Sequence, residues 1–251
     1  MSFPIAKFFS KTIKSIRILI VGWGIILPIV FLLPRKRNLI LFVGKHEGSF
    51  FDNVKFLYLY LYRLKQNYAE YYFFTEQRAV YDILKQHNMP VVLHPTLKSI
   101  YVLTRANIII SASTTWKKKY KYHLSLMAKK VQLWHGIPLK KIGMMVSSVA
   151  DSHKSFWGRI NNGIRGKNHV HDLFISTSEF FTSNIFVKAM RAKKIIETGY
   201  PRNDIFFKEQ LDDYDLIEAD TKSIAKINVF RNNSCKVILY APTCGDPVGN
   251  A

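Results

Sequence analysis

The chain has 251 residues, of which 48% are hydrophobic and 14% aromatic, so it can bury one large core or two modest ones, which excludes extensive disorder. It carries 37 Lys and Arg against 17 Asp and Glu, a formal net charge of +20, which predicts an anionic partner such as a phosphate, an acidic polymer or an anionic bilayer. Its two cysteines, Cys235 and Cys244, give no disulfide framework and no zinc-ligand pattern, which fits a reducing intracellular compartment.

The first segment, residues 1–37, has the pattern of a membrane-associated helix. Four cations between positions 7 and 17 recur every three or four residues, which groups them on one helical side and suits an anionic membrane surface. Residues 18–33 carry no charge, are slightly short for a span of about 20 residues, and contain Pro28, which is expected to kink the helix. We expect a membrane anchor or in-plane helix; a cleaved signal peptide and a buried helix are the alternatives.

After position 37, short apolar runs alternate with longer helical patterns. Strands are predicted at 39–44, 71–75, 90–94, 106–113, 131–136, 172–177, 194–199 and 236–242. Helices are predicted at 53–66, 79–87, 97–104 and 178–190, with a basic loop or short helix at 116–123 and an acidic linker helix at 211–226. Continuous apolar strands alternating with helices predict a doubly wound, Rossmann-like α/β domain with a parallel sheet.

Polar or glycine-containing loops follow five of these predicted strands, at 44–49, 111–115, 135–136, 176–178 and 199–204. In parallel sheets of this kind, ligands bind beyond the carboxyl ends of the strands. We therefore expect the five loops to converge on one cleft.

The histidine at position 135 follows a predicted strand and precedes Gly136, which permits a sharp turn and the close approach of a ligand. Pro138 is compatible with the first turn of a helix, where free amide groups favour an anion, and Lys140 and Lys141 reinforce that preference. A histidine beside a phosphate site is a candidate general base. An ordinary loop histidine bonded to the backbone is the equal alternative.

Two further turns carry candidate binding residues. Arg202 follows Pro201 and can hold phosphate oxygens, while Asn203 or Asp204 can cap a following helix. In the loop at 44–53, Asp52 and Asn53 are most simply helix caps, and a contact with an acceptor substrate is the alternative. That loop lacks Walker spacing, so nucleotide hydrolysis is not supported.

Other chemistries find little support in the sequence. His169 and His171 alternate on a predicted strand, but no third ligand has matching spacing, so no metal site is predicted. The chain has no Gly-x-Ser-x-Gly elbow, and neither cysteine has an activating neighbour. Nucleic acid is not an expected partner, because no recognition helix or stacking motif stands out.

Taken together, "QLWHGIPLKKIG", "ETGYPRNDIF" and "KVILYAPT", in that order, resemble the CDP-glycerol glycerophosphotransferase family of teichoic acid and capsule synthesis. The resemblance covers most of 38–243 and implies a GT-B-type fold, with a membrane-associated segment at 1–37 and an acceptor-side domain at 38–204. It implies transfer of glycerol phosphate from the substrate CDP-glycerol, with release of CMP and without a further cofactor.

In that family pattern His135 is the general base, and Lys140, Lys141 and Arg202 neutralise phosphates. Gly136, Asn203, Asp52 and Asn53 complete the predicted substrate-binding residues. The expected partners are an anionic membrane surface and a lipid-linked polyol-phosphate acceptor at the cytoplasmic face of the cell membrane.

The sequence departs from the family pattern at two places. Ile137 stands where a threonine is usual, and Cys244 and Gly245 stand where tryptophan and arginine are usual. Residues 205–251 are expected to hold linker helices and the first strand of an incomplete nucleotide-binding domain. That expectation leaves the activity of the isolated chain open and predicts a second copy or a separate carboxy-terminal half as partner.

Two other functions remain compatible with the sequence. A related transferase could use another CDP-alditol or a nucleotide sugar, because no residue pattern identifies the donor's alditol. From a different class, the chain could be a non-catalytic basic module that binds membranes or anions.

Overall fold

A computed structural model describes residues 13–65, 69–118, 120–146, 156–165 and 170–240. The chain divides into two compact units, Met1–Gln210 and Leu211–Ala251.

The first unit contains a seven-stranded, all-parallel sheet with the strand order β3-β2-β1-β4-β5-β6-β7. The strands are β1 (Lys36–Val43), β2 (Glu70–Thr75), β3 (Val91–Leu93), β4 (Ala106–Ser111), β5 (Lys129–Gln132), β6 (Leu173–Ser176) and β7 (Ile195–Glu197). This arrangement confirms the predicted α/β fold with a parallel sheet.

Helices connect the strands, as the alternating pattern predicted. In the first unit they are α1 (Ile13–Leu32), α2 (Asp52–Leu64), α3 (Arg78–Gln86), α4 (Leu97–Arg105), α5 (Lys121–Leu124), α6 (Phe156–Ile164) and α7, which runs through Glu179–Phe181, a π-helical stretch at Thr182–Phe186 and Val187–Ala189. Short 3₁₀ helices lie at Thr115–Lys117, Gly143–Met145 and Pro201–Phe207.

The core lies around the second half of β1, which is mostly buried because strands flank it and helices cover it. Leu39, Leu41 and Val43 are fully buried, and they pack in one cluster with residues of β2, β4 and α4. Val43 pairs with Phe74 of β2 and Ser111 of β4, so the carboxyl ends of these strands end side by side. The strand order reverses between β1 and β4, where a sheet of this type opens a crevice for a ligand.

The amino-terminal helix α1 is long and apolar enough to cross a membrane by length and composition, and only 11% of its most apolar window is buried. It continues through Pro28, with a π-helical stretch at Ile18–Ile26 before it and an α-helical turn at Leu27–Leu32. The helix therefore contains Lys14 and Arg17 as well as nearly all of the uncharged stretch 18–33, while the cations at positions 7 and 11 lie outside the described residues.

The second unit contains α8 (Asp213–Leu216) and α9 (Thr221–Asn232), which begin at the side-chain caps Asp212 and Asp220. These helices occupy the predicted acidic linker. The prediction of a strand at 236–242 was wrong for residues 236–240, which are exposed and irregular. None of the described strands pairs with them, and an unpaired strand is not stable. Cys244 and Gly245 lie outside the described residues, and the division into an acceptor-side domain and an incomplete nucleotide-binding domain stays a prediction.

Candidate functional site

The candidate site lies where β5 ends and the chain turns through Trp134 and His135. Trp134 adopts a positive φ of 58°, and its ring stacks on the imidazole of His135 at 4.2 Å between centroids. Nδ1 of His135 lies 3.0 Å from the carbonyl oxygen of Ala112, which follows β4. The Trp134 ring therefore covers one face of the histidine, and the residue after the neighbouring strand fixes one of its nitrogens.

Burial lowers the pKa of His135 below its usual value, and the positive charges of Lys45 and Arg202 act in the same direction. The hydrogen bond to Ala112 and the negative charge of Asp52 act in the opposite direction and only partly offset this. Burial thus favours the neutral imidazole. Because Nδ1 donates to a carbonyl, its Nε2 carries the free lone pair and can accept a proton.

Three successive carbonyl groups of this turn each accept a hydrogen bond from a different side chain. Nδ2 of Asn53 donates to Trp134 at 3.0 Å, Nη1 of Arg202 to His135 at 3.1 Å, and the hydroxyl of Tyr200 to Gly136 at 3.1 Å. The donors come from α2 and from the segment after β7, so two distant parts of the chain hold the turn in place.

Arg202 and Asp52 form the ionic part of this network. Nη1 of Arg202 lies 2.9 Å from Oδ1 of Asp52, whose side chain is only 5% exposed, whereas that of Arg202 is 37% exposed. Asn53, fully buried, also accepts a hydrogen bond from the backbone amide of Arg202 at 3.3 Å. A carboxylate this deeply buried needs its cation, so the pair fixes the start of α2 against the turn after β7.

Gly136 has a φ of 148°, a conformation that side-chain-bearing residues rarely adopt. An added Cβ would lie 3.5 Å from Nη2 of Arg202. That distance is an ordinary van der Waals contact, so the backbone conformation and not a lack of space favours glycine here. The close approach of a ligand stays a prediction.

A cleft of about 660 Å³ opens beside His135 at the carboxyl ends of the central strands. Its lining residues come from the loops after β1, β2, β4 and β5: Lys45, His46, Glu47, Glu76, Ser113, Thr114, Thr115, Trp116, Lys118, Lys121, Trp134 and His135. Burial lowers the pKa of Lys45, with Arg202 acting in the same direction and Asp52 partly opposing it. The cleft thus places a titratable base and hydroxyl groups beside several cations, at the switch point of the sheet.

The structure brings together His135, Gly136, Asp52, Asn53 and Arg202 from the predicted set. Neither Asp52 nor Asn53 caps α2 in the predicted way, because the cap position is Phe51 and makes no side-chain hydrogen bond. Oδ1 of Asp52 instead accepts from the amide of Asn53 at 2.9 Å while it pairs with Arg202. Asp52 and Asn53 therefore bind Arg202 and the histidine turn and do not cap α2.

The helix start predicted at Pro138 was wrong. Pro138 begins no helix in the described stretch up to Val146, so the expected cluster of free amide groups is not formed. Lys140 and Lys141 are exposed and do not line the cleft.

Neither Asn203 nor Asp204 forms the helix cap that was predicted for one of them. Both are exposed within the 3₁₀ helix Pro201–Phe207, which has no side-chain cap. The loop at 176–178 does not belong to the cleft lining either, since Ser176 is fully buried and bonded to Thr182.

Sequence reasoning missed Lys45, Tyr200 and the carbonyl of Ala112. Lys45 stands directly after the central strand, a position that could have identified it, and Tyr200 precedes the proline of the Arg202 turn. The Ala112 carbonyl leaves no sequence signal because every residue has one.

The described residues contain no group of three or more His, Cys, Asp or Glu that could hold a metal ion. His171 is buried, and burial lowers its pKa to about 4. His169 lies outside the described residues.

Comparisons with known proteins connect the chain to a family. A family model described as CDP-Glycerol:Poly(glycerophosphate) glycerophosphotransferase matches residues 25–247. A teichoic acid glycerol-phosphate transferase of Staphylococcus aureus (strain NCTC 8325 / PS 47) is 33% identical over 221 residues, which cover 85% of this chain and 52% of that protein.

A teichoic acid poly(glycerol phosphate) polymerase of Bacillus subtilis (strain 168) is 27% identical over 218 residues, which cover 85% of this chain and 27% of that protein. The structure of the wall teichoic acid polymerase TagF superposes with a TM-score of 0.50 at 18% identity, covering 92% of this chain and 54% of that chain. The likeness to TagF shows the fold. The chain spans about half the length of the Staphylococcus aureus relative and of TagF, and about a quarter of the Bacillus subtilis polymerase.

Proposed function

The chain belongs to the CDP-glycerol:poly(glycerophosphate) glycerophosphotransferase family, and on this premise we propose that its cleft serves transfer of glycerol phosphate from CDP-glycerol to a glycerol-phosphate acceptor. A terminal hydroxyl oxygen of the acceptor attacks the β-phosphorus of CDP-glycerol. A new phosphorus–oxygen bond forms, the bond from the β-phosphorus to the bridging oxygen breaks, and CMP leaves with that oxygen. The hydroxyl proton passes to Nε2 of His135.

One observation carries the proposal: His135 is held through Nδ1 by Ala112 in the wall of a cleft of about 660 Å³, where burial favours its neutral form. General-base catalysis requires a positioned group with a free lone pair, and this arrangement supplies one. The hydrogen bond at Nδ1 also prevents the ring from rotating when Nε2 takes up the proton.

Phosphate binding falls to the cations at the cleft. Lys45 and Lys118 lie in its wall, and Arg202 contacts the histidine turn. Fixed cations stabilise the charge that builds on the phosphate oxygens during transfer, because they need no reorganisation. Lys140 and Lys141 are too exposed to belong to this group in the described conformation, and contact with a long acceptor is the role left to them.

The acceptor is proposed to be linked to a lipid and to lie at the cytoplasmic face of the cell membrane. Helix α1 leaves many large apolar side chains exposed, among them Ile20, Ile29, Phe31 and Leu32. Such a helix gains free energy by entering a bilayer, either across it or in its plane. In this proposal the sheet unit Met1–Gln210 handles the acceptor.

The test is an assay of the whole chain with CDP-glycerol and a lipid-linked glycerol-phosphate acceptor, measuring CMP release and acceptor elongation. We expect His135→Ala to lower the rate by about 10²–10⁴-fold, the usual contribution of a general base. The matched control His87→Gln changes a histidine that does not line the cleft and is expected to leave the rate unchanged.

Two outcomes contradict the proposal. A His135→Ala chain that transfers as fast as the unmodified chain excludes His135 as the base. A chain that binds glycerol-phosphate oligomers but releases no CMP supports the alternative of a non-catalytic anion-binding module.

A further inference from the structure

A second cavity, of about 530 Å³, lies between helix α1 and the segment that follows β4. Its wall contains five cations, three aromatic rings and one aliphatic side chain: Lys14, Arg17, Ile18, Lys117, Lys118, Tyr120, Tyr122, His123 and Arg165. We call this cavity the basic pocket. It shares Lys118 with the cleft but does not include His135.

Specific contacts hold α1 in position along the basic pocket. Nε1 of Trp23 donates to the carbonyl of Ile164 at 2.9 Å, and Nε of Arg17 donates to the hydroxyl of Tyr120 at 3.1 Å. A Cβ added to Gly22 would come within 2.7 Å of the His123 ring, so the glycine permits the close packing of helix and ring. The pocket is therefore a built feature of the fold, with one wall supplied by α1.

The charged side chains that line the basic pocket are of one sign. Its described lining contains no carboxylate, whereas Lys14, Arg17, Lys118 and Arg165 contribute positive charge and Lys117 contributes a further amine. Burial lowers the pKa of Lys117 to about 7, which means that charging this amine inside the protein is costly. An anion in the pocket would offset that cost and the mutual repulsion of the cations.

The opposite character is found on the same turns of α1, in side chains that do not line the pocket. Ile13, Ile16, Leu19 and Ile20 are each about half exposed or more, and Ile18 lies in the pocket wall itself. A ligand with an anionic group and an apolar tail matches this arrangement, because cations surround the group while apolar side chains continue along the helix. A free anion would leave those apolar side chains in water.

We propose that the basic pocket binds the phosphate group of an anionic membrane lipid, with the lipid's acyl chains lying along α1. The phosphate oxygens accept charge-assisted hydrogen bonds from the lysine and arginine side chains. Because Lys118 borders both cavities, a lipid held here lies beside the cleft. The binding needs neither CDP-glycerol nor His135, so it stands or falls independently of the proposed transfer reaction.

The first test measures binding of dihexanoyl phosphatidylglycerol to the full chain by isothermal titration calorimetry, below the micelle concentration of the lipid and without CDP-glycerol. We expect saturable binding at one site. Dihexanoyl phosphatidylcholine should bind at least about 10-fold more weakly, because the cations of the basic pocket repel its choline. Inorganic phosphate should also bind at least about 10-fold more weakly, because it lacks the apolar contacts.

Each of the other outcomes overturns the proposal. Equal affinity for inorganic phosphate identifies a plain anion site, and equal affinity for phosphatidylcholine identifies adsorption through the acyl chains alone. Absence of saturable binding excludes the site.

The second test locates the binding. The double variant Lys117→Gln/Lys118→Gln is expected to weaken binding of dihexanoyl phosphatidylglycerol by about 10-fold or more, since each charge-assisted hydrogen bond contributes roughly that factor. The matched double variant Lys222→Gln/Lys226→Gln removes the same charge from an exposed helix and should bind as the unmodified chain does.

Lys117 is partly buried, so circular dichroism must first show that the double variant folds. Lys14→Gln provides a second probe on the exposed face of α1, with an expected loss of about 3-fold or more. Equal losses in the Lys117/Lys118 and Lys222/Lys226 pairs would show that net charge drives binding, and unchanged affinity in Lys14→Gln and the Lys117/Lys118 pair would place the ligand elsewhere.

Discussion

The segment 133–141 consists of two stretches with opposite surroundings. In the first, residues 133–136, the amide of Leu133 donates to Ser111 at 2.9 Å, and the next three carbonyls accept from Asn53, Arg202 and Tyr200. In the second, residues 137–141, both lysines are exposed and Leu139 is 78% exposed.

This difference shows how the fold separates a fixed site from a solvent-exposed loop only five residues away. The turn at His135 is held by side chains from α2 and from the segment after β7, whereas no such donor reaches residues 137–141 among those described. A base must be held in place to accept a proton efficiently, and the exposed lysines are free to follow a ligand.

The largest loss of stability is expected from Arg202→Ala, which removes a contact that holds the histidine turn. The substitution leaves the buried carboxylate of Asp52 without its cation and the His135 carbonyl without its donor, which should lower the free energy of unfolding by about 2–3 kcal/mol. Urea unfolding followed by circular dichroism measures the change.

The matched control for that experiment is Arg78→Ala, which breaks the exposed pair between Arg78 and Asp82. An exposed ion pair within a helix contributes about 0.5 kcal/mol or less. Similar losses in both variants would mean that the network around His135 is no firmer than an ordinary surface ion pair.

A smaller effect is expected in the pH dependence of stability. Because the pKa of His135 is lower in the folded chain than in the unfolded chain, the unfolded state binds more protons between the two values. Stability should therefore rise with pH up to about 6.5 and fall as the pH drops through the lowered pKa.

The measurement compares urea unfolding of the unmodified chain and of His135→Gln at pH 5, 6, 7 and 8. The variant should show a shallower loss of stability on the acid side. His123 and His171, whose pKa values are also lowered by burial, contribute equally to both chains and cancel in the difference. Identical acid-side slopes would mean that His135 is not desolvated by its turn.

The smallest effect is expected in the exposed stretch. Lys140→Gln/Lys141→Gln should change the free energy of unfolding by less than about 0.5 kcal/mol, because neither side chain is buried. A loss above about 1 kcal/mol in the same urea experiment would show that the loop is held as firmly as the histidine turn.

Local sequence patterns were sufficient to predict most strands of the sheet. The first seven predicted strands are present, because runs such as 39–44 and 106–113 are apolar throughout and strands buried on both faces require that composition. Helix α2 was predictable from the spacing of Val54, Tyr58 and Leu59, all of which are buried. At 236–240 the same kind of apolar run forms no strand, since composition supplies no hydrogen-bonding neighbour.

The candidate site was only partly predictable for a related reason. The order of strands and loops placed His135 and Arg202 at one edge of the sheet, and both lie there. The predictions for Lys140, Lys141 and Pro138 relied on residue type in a short window, and that window contains no information about which neighbours are available.

The sequence by itself determined the parallel α/β fold, the apolar amino-terminal helix and the histidine at a strand end, because each is encoded in local periodicity and spacing. Only the tertiary structure decided that Asp52 and Asn53 bind the turn after β7 instead of capping a helix, and that Ala112 orients His135. Those contacts join residues that are 23 to 150 positions apart. Their geometry depends on how the strands are ordered in the sheet, which no local stretch of sequence contains.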